Sequence, residues 1–257
     1  MRQPGLNCLK QVNPIPQKKL DIRGKIIAFD ADDTLWHNEI NFRNAEREFA
    51  QAMLPFCNPE EAVAHLMAVE GRNIPTLGYG TKTFIIALAE AAMELGGENM
   101  PNSKIREVME IGKKTVCPQV ELYPYAKEVL EVLHKEQSAY GYRLVLATKG
   151  DLKDQQYKID KSGLQEYFSH IEIMPEKDRP GYSALMQKCG VQPQDFIMVG
   201  NSFKSDIKPV LELGGSAVYI PSKIIWVHEV VEEFDHQNLV RLESIKEVPQ
   251  IFGFKGL

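Results

Sequence analysis

Cysteine is scarce and scattered in this chain. Cys8, Cys57, Cys117 and Cys189 form no C-x-x-C pair, and no histidine stands near them at metal-ligand spacing. That excludes a disulfide framework and a thiolate zinc site, and it fits reduced thiols. A basic excess is lacking as well. With 30 Lys and Arg against 35 Asp and Glu, the net charge is −5, so nothing neutralises a phosphate backbone and no nucleic-acid partner is expected. No apolar run approaches the roughly 18 residues that span a bilayer, so no membrane contact is expected. The first residues are polar and proline-bearing without a signal-type apolar core, and the expectation is a cytoplasmic protein. Internal repeats and low-complexity tracts are also missing.

What is present is 257 residues, 44% hydrophobic and 25% charged, enough for one large or two modest domains with a sizeable core. The most informative segment is Ile26-Ile27-Ala28-Phe29-Asp30-Ala31-Asp32-Asp33-Thr34-Leu35. Its apolar half alternates too weakly for a half-exposed strand and reads as a buried strand of a parallel sheet. The acids then fall at the carboxyl end of that strand, where open α/β sheets place their ligands. Residues two apart in extended chain point the same way, so Asp30 and Asp32 are expected to reach one reaction centre.

After this segment the texture becomes helical. Phe42, Ala45, Phe49, Ala52, Met53 and Phe56 recur at helical spacing, and Asn58-Pro59-Glu60-Glu61 carries a cap, a first-turn proline and acidic residues that start a second helix. Further helices are predicted over 81–95 and 103–114. From 121 onwards, helix and strand alternate, with strands at 142–147, 170–174, 196–199 and 216–220 and helices at 124–134, 153–162, 181–189 and 206–213. That order implies a parallel sheet with right-handed crossovers, to which the strand before Asp30 belongs. The fold class is therefore α/β, a Rossmann-like core holding an all-helical insertion. The expected organisation is a tail over 1–22, a core over 23–36 and 119–257, and a helical cap over 37–118.

Three more strand ends carry chemistry-bearing residues. Thr148-Lys149-Gly150 reads either as a turn with a capping threonine or as a hydroxyl and close backbone holding a phosphoryl oxygen. Lys177, in Met174-Pro175-Glu176-Lys177-Asp178-Arg179-Pro180, reads either as a solvated loop lysine or as a site cation, a role for which Arg179 and Lys188 compete on charge alone. Gly200-Asn201-Ser202-Phe203-Lys204-Ser205-Asp206 reads either as a strand followed by a capped helix or as a ligand loop.

Together, strand-Asp-x-Asp-x-Thr-Leu, Thr148, Lys177 and the Gly200 to Asp206 loop resemble, in order, the four motifs of the haloacid dehalogenase superfamily. Its commonest members are magnesium-dependent phosphatases, and it inserts an α-helical cap between the first and second motifs. The resemblance implies Asp30 as nucleophile and Asp32 as acid and base. It implies Thr148 and Lys177 on the phosphate, with Lys149 a weaker candidate. Mg²⁺ would be held by Asp30, Asp32, Asn201 and Asp206, with Asn201 standing where the superfamily usually carries an aspartate. An asparagine offers an oxygen without charge, so metal affinity should fall unless Asp206 contributes. The implied partner is a small phosphorylated metabolite. Gly78-Tyr79-Gly80-Thr81-Lys82 is a candidate substrate-contacting loop of the cap, or an ordinary interhelical loop. Three other readings stay open: a dehalogenase, which Asp32 disfavours; a phosphomutase; and a binding protein with a weakened metal site. His37, next to the acidic run, is a candidate to line the site or, as a lone histidine more often is, a surface or packing residue; the last 35 residues carry no motif.

Overall fold

In the computed structural model, residues 19–257 are described. Most of the tail expected over 1–22, including Cys8, lies outside them. Residues 20–22 belong to the fold instead: Leu20 donates its amide to the Ile251 carbonyl (2.8 Å), and Ile22 is buried in the main core.

Six parallel strands form one sheet in the order β3-β2-β1-β4-β5-β6. They are β1 (Ile26–Phe29), β2 (Arg143–Lys149), β3 (His170–Met174), β4 (Phe196–Gly200), β5 (Ser216–Tyr219) and β6 (Leu239–Arg241). β1 is central because all four of its residues are apolar and can be covered on both faces. Ile27 and Phe29 point to the face packed by α5 (Ala126–Tyr140), through Val129, Leu130 and Leu133. Ile26 and Ala28 point to the other, packed by Tyr182, Leu185 and Met186 of α7 (Arg179–Cys189). Strand order reverses at β1, with β2 on one side and β4 on the other, so the crevice above these three strands is the place for a ligand.

Between β1 and β2 run α1 (Glu39–Met53), α2 (Pro59–Leu77), α3 (Thr81–Gly96) and α4 (Asn102–Lys113), around a hydrophobic core of their own built on Phe49, Met53, Leu66, Phe84, Leu88 and Val108. Asn58 caps α2 by accepting from the Glu61 amide (2.8 Å), and Pro59 sits in the first turn, where its missing N–H costs nothing. Among the described residues, no helix is long and apolar enough to cross a membrane.

Three elements differ from expectation. The helix predicted over 206–213 begins as a π-helical turn, Phe203–Ile207, and becomes α only in α8 (Lys208–Leu213). The wide turn forms because the amides of both Asp206 and Ile207 converge on the Ser202 carbonyl (2.8 and 3.3 Å). α5 starts two residues after Pro124, once Tyr125 has turned through a left-handed conformation (φ 70°), and runs on to Tyr140. A sixth strand, β6, pairs with β5 although only three residues make it. The remaining helices, α6 (Leu152–Ser162) and α9 (Val248–Ile251), pack against the sheet.

Candidate active site

Asp30 continues the ladder of β1, donating its amide to the Val199 carbonyl (2.9 Å), and the chain then turns sharply. Asp33 makes the turn in a left-handed conformation (φ 60°), one that aspartate tolerates better than most residues. Its carboxylate accepts from the amides of Asn38 (3.1 Å) and Glu39 (2.9 Å), at the start of α1. The third acid of the run is therefore a structural brace, and burial pushes its carboxyl up to about 6. Thr34 closes the turn by donating its hydroxyl to Asp30 Oδ2 (2.8 Å).

Asp30, Lys177 and Asp206 form a buried ionic triad from three different strand ends. The Lys177 ammonium donates to Asp30 Oδ1 and to Asp206 Oδ1, the latter at 2.7 Å. All three side chains are at most 5% exposed, so leaving any one unpaired would be costly. Burial works against the ammonium, but Asp206 and Asp30 outweigh it and hold the Lys177 pKa above its ordinary value. Burial and the Asp206 charge push Asp30 upward, against Lys177. The second oxygen of Asp206 accepts from the Ser202 amide (2.9 Å), and its carboxylate packs on the Cα of Gly200, where any Cβ would collide with it. Arg179 and Lys188, the rival cations by sequence, play no part in the triad.

Asp32 lines the same cavity as Asp30, but its carboxylate is held from elsewhere. Trp36 Nε1 donates to Oδ1 (2.7 Å), while Gln155 Nε2 (2.9 Å) and Lys158 Nζ (2.5 Å) donate to Oδ2. Lys158 also reaches Asn38 Oδ1 (2.9 Å). Thr148, 1% exposed, donates to Gln155 Oε1 (3.3 Å) and lines the cavity. Lys149 turns into the cavity too, where it bonds Glu229 Oε1 (2.7 Å) and Ser205 Oγ (3.1 Å) and lies 4.1 Å from the centre of the Tyr79 ring.

The Asn201 amide can be turned two ways. With its oxygen inward it accepts from Thr34 Oγ1 (3.1 Å). Turned over, its nitrogen donates to Asp30 Oδ2 (3.1 Å), the Asp32 carbonyl (3.2 Å) and Thr34 Oγ1 (3.1 Å). Without a cation the second arrangement is the better one, because the first sets an amide oxygen against two other acceptors. The Asp206 carboxylate accepts instead from Lys177 and from the Ser202 amide. Among the described residues no cluster of three or more His, Cys, Asp and Glu side chains is arranged to hold a metal; the oxygens that converge here belong to one carboxylate, one backbone carbonyl and one amide.

These groups form the floor of a cavity of about 270 Å³. Tyr79, Gly80 and Thr81 line it, and their loop is tied to the start of α6: Thr81 donates to Asp154 through its amide (3.0 Å) and hydroxyl (2.6 Å), and Lys82 pairs with Asp151 (2.7 Å). The roof includes a segment without motif, the long connection from β5 to β6, which brings in Ile225, Trp226 and Glu229. Glu229 accepts from Ser202 Oγ and from Ser205 Oγ (2.6 Å) as well as from Lys149. A connection of that length with only one short 3₁₀ turn is uncommon in a compact fold except where it serves a site. His37 stacks on Tyr123 at 3.9 Å between ring centres and takes no place in the cavity lining.

Comparison with known proteins agrees with this architecture. A haloacid dehalogenase-like family hydrolase from Xanthomonas campestris superposes with a TM-score of 0.78 at 32% identity, covering 91% of this chain and 93% of that one. A HAD phosphatase from Thermococcus onnurineus, at TM-score 0.60 and 18% identity over 91% of this chain and 100% of that one, shares the fold. The N-acylneuraminate-9-phosphatase of Homo sapiens is 30% identical over 145 residues, 54% of this chain and 54% of that protein. The chain thus spans about half the length of the curated relatives it matches. The profile of haloacid dehalogenase-like hydrolases matches residues 25–214, well over half of the sequence, and with this fold and these four strand ends the chain belongs to that family.

Proposed function

We propose that the chain is a phosphomonoesterase acting on a small phosphorylated metabolite, with Asp30 as nucleophile and an aspartyl-phosphate as intermediate. The observation that carries this reading is the buried Asp30 at the end of the central strand. One of its oxygens is fixed by Lys177 and the other by Thr34, beside the Thr148 hydroxyl and under a helical roof.

Asp30 attacks the phosphorus, the ester bond breaks, and the alcohol leaves with a proton. Water then attacks the aspartyl-phosphate and releases inorganic phosphate. Splitting one displacement into two suits a carboxylate nucleophile. Lys177 and the Thr148 hydroxyl meet the phosphoryl oxygens, supplying charge and a hydrogen bond where charge concentrates in the transition state. Asp32 gives the proton to the leaving alcohol and takes one from water. It does so from a position set by Trp36, Gln155 and Lys158. The unit over 37–118 serves as a cap that excludes bulk water.

The cavity lining is rich in carboxylates, and its lysines are already bonded to some of them, so a dianionic ester calls for a further cation. Asp30 Oδ2, the Asp32 carbonyl and the Asn201 amide oxygen fit Mg²⁺. All are hard oxygens of the kind Mg²⁺ takes, and the inward atom of the Asn201 amide stands 3.1 Å from Asp30 Oδ2 and 3.2 Å from the Asp32 carbonyl. Bound there, Mg²⁺ would neutralise the phosphate and offset the repulsion between it and Asp30. Asn201 brings an uncharged amide to this group, which favours a second reading: displacement at carbon, as in dehalogenation. The two readings part on the metal.

Phosphate release from 4-nitrophenyl phosphate, with Mg²⁺ and with chelator, beside the Asp30→Asn chain, tests the proposal. The expected result is turnover that needs Mg²⁺ and falls at least about 1,000-fold in the variant. Turnover that survives chelator or the substitution would overturn it, and chloride release from a 2-chloro acid would establish the second reading.

A further inference from the structure

We propose that the end of the cavity away from Asp30 binds a cation, a protonated amine carried by the alcohol portion of the substrate, through Glu39, Glu46 and Glu70. The inference rests on the phosphomonoesterase reading for the phosphate end alone; the cation end stands on separate residues.

On α1, Glu39, Arg43 and Glu46 recur at i, i+4 and i+7, which sets them on one stripe, and Glu70 comes from α2. A charged stripe of this spacing usually faces water. Here all three carboxyls line the cavity and are 6–7% exposed. One guanidinium serves them. Arg43 donates to Glu46 Oε2 (2.9 Å) and to the Ile225 carbonyl (3.1 Å), and its Nε stands 3.2 Å from Glu39 Oε1 without hydrogen-bond geometry. Glu39 Oε1 is therefore a buried acceptor with no hydrogen bond among the described residues. Burial pushes Glu39 up to about 8 and Glu70 up to about 7, with the neighbouring carboxylates adding to the effect.

Other nearby groups do not make good the deficit. Asp33, which braces α1, adds another acid. His228 Nε2 lies 3.8 Å from Glu70 Oε2, but burial lowers its pKa, and that nitrogen has no hydrogen bond among the described residues. Lys149, Lys158 and Lys177 are bonded to Glu229, Asp32 and Asp30 respectively. Ionising three buried carboxyls around one cation is costly, as the raised values reflect, and that cost falls when a second cation enters. The walls suit such a ligand. Phe42 and Phe84 stand edge to face at 5.1 Å and line the cavity together with Trp226, so aromatic rings share its wall with the acids. A neutral polyol would satisfy the acceptors but not the charge, and an alcohol carrying a carboxylate would be repelled. The N-acylneuraminate named in the curated relatives is by its name such a carboxylate.

The experiment measures binding of short ω-aminoalkyl phosphates of graded chain length against ω-hydroxyalkyl and ω-carboxyalkyl phosphates of the same lengths. It uses calorimetry on the full Asp30→Asn chain in Mg²⁺ buffer, so that the esters stay intact. At the best chain length the amine is expected to bind about tenfold or more tighter than the hydroxyl ester, and the carboxylate weakest. Adding Glu39→Gln and Glu70→Gln together should bring amine and hydroxyl esters to parity. Glu46→Gln alone is the second variant should that pair fail to fold, and it should reduce the preference in the same direction. Equal binding of amine and hydroxyl esters at every length, or a preference that survives these substitutions, would overturn the inference. Turnover of 4-nitrophenyl phosphate by the native chain is read in parallel. Turnover without amine preference removes the cation end alone. Amine preference without turnover supports the cation end and overturns the phosphomonoesterase.

Discussion

The two ends of the cavity treat buried charge in opposite ways. At the strand ends every carboxylate has a partner: Asp30 and Asp206 share Lys177, and Asp32 is held by Trp36, Gln155 and Lys158. At the helical end Glu39, Glu46 and Glu70 crowd around Arg43, and one oxygen is left without a hydrogen bond. The first arrangement is preorganised, with side chains fixed before a substrate arrives, as charge stabilisation in a transition state requires. The second is incomplete without something else. On the two proposals above, chemistry would be the work of the satisfied site and selection of the leaving group that of the unsatisfied one.

Breaking the satisfied end should have the largest effect. Lys177→Met leaves Asp30 and Asp206 buried together without their cation, and stability should drop by about 3 kcal/mol, the scale for breaking a buried pair. Urea unfolding measures that loss, and phosphatase activity should fall with it by about 100-fold or more. A variant as stable as the native chain would show that the triad is not the support described here.

Asn201→Asp sharpens the contrast by adding charge where the oxygens converge. Without metal, the new carboxylate faces Asp30 Oδ2 and the Asp32 carbonyl, and the melting temperature should fall. With Mg²⁺ the loss should be recovered, and the Mg²⁺ concentration for half-activation should drop by about tenfold, as expected when a hard cation gains an anionic ligand. Unchanged Mg²⁺ dependence would remove Asn201 from the ligand set.

The smallest effect is expected at the unsatisfied end. The Glu39 carboxyl is raised from its ordinary value of 4.5 to about 8 in the folded chain. A raised acid contributes its full stability below the unfolded value and loses it as pH rises through the folded one. The native chain should therefore melt lower above pH 8 than at pH 5. Glu39→Gln, which cannot titrate, should remove this contribution and exceed the native melting temperature above pH 8 by about 2–4 °C for each kcal/mol relieved. Melting curves at the two pH values decide it, and parallel curves for the two chains would show that Glu39 is not strained by its charge.

Much of the sheet is legible in the sequence because its strands are short apolar runs ending in residues with a recognisable job. β1, β2, β3 and β4 could be found that way, β5 by its apolar run alone, and Lys177 could be chosen over Arg179 and Lys188 through the family pattern. β6 could not, since Leu239-Val240-Arg241 is too short and too mixed to show a period. The holders of Asp32 were hidden for a different reason. Gln155 and Lys158 lie three apart on α6, as exposed polar residues do, and only the position of that helix against Asp32 turns them inward. Glu39, Arg43 and Glu46 were hidden likewise, because periodicity identifies a stripe but not what it faces. Asp33 sits inside the motif that gave the site away, yet its bracing of α1 depends on a left-handed turn that spacing does not reveal.

The connection between β5 and β6 makes specificity a shared property of two distant stretches of chain. Arg43 of α1 holds the Ile225 carbonyl, Tyr79 stands edge to face with Trp226, and Trp226 lines the cavity with Glu70. Part of the cavity wall is therefore encoded more than a hundred residues after the helices that supply Glu39, Glu46 and Glu70. A chimaera that exchanges only the helices between β1 and β2 would inherit an unmatched roof. Grafting this preference onto another scaffold means moving both stretches together.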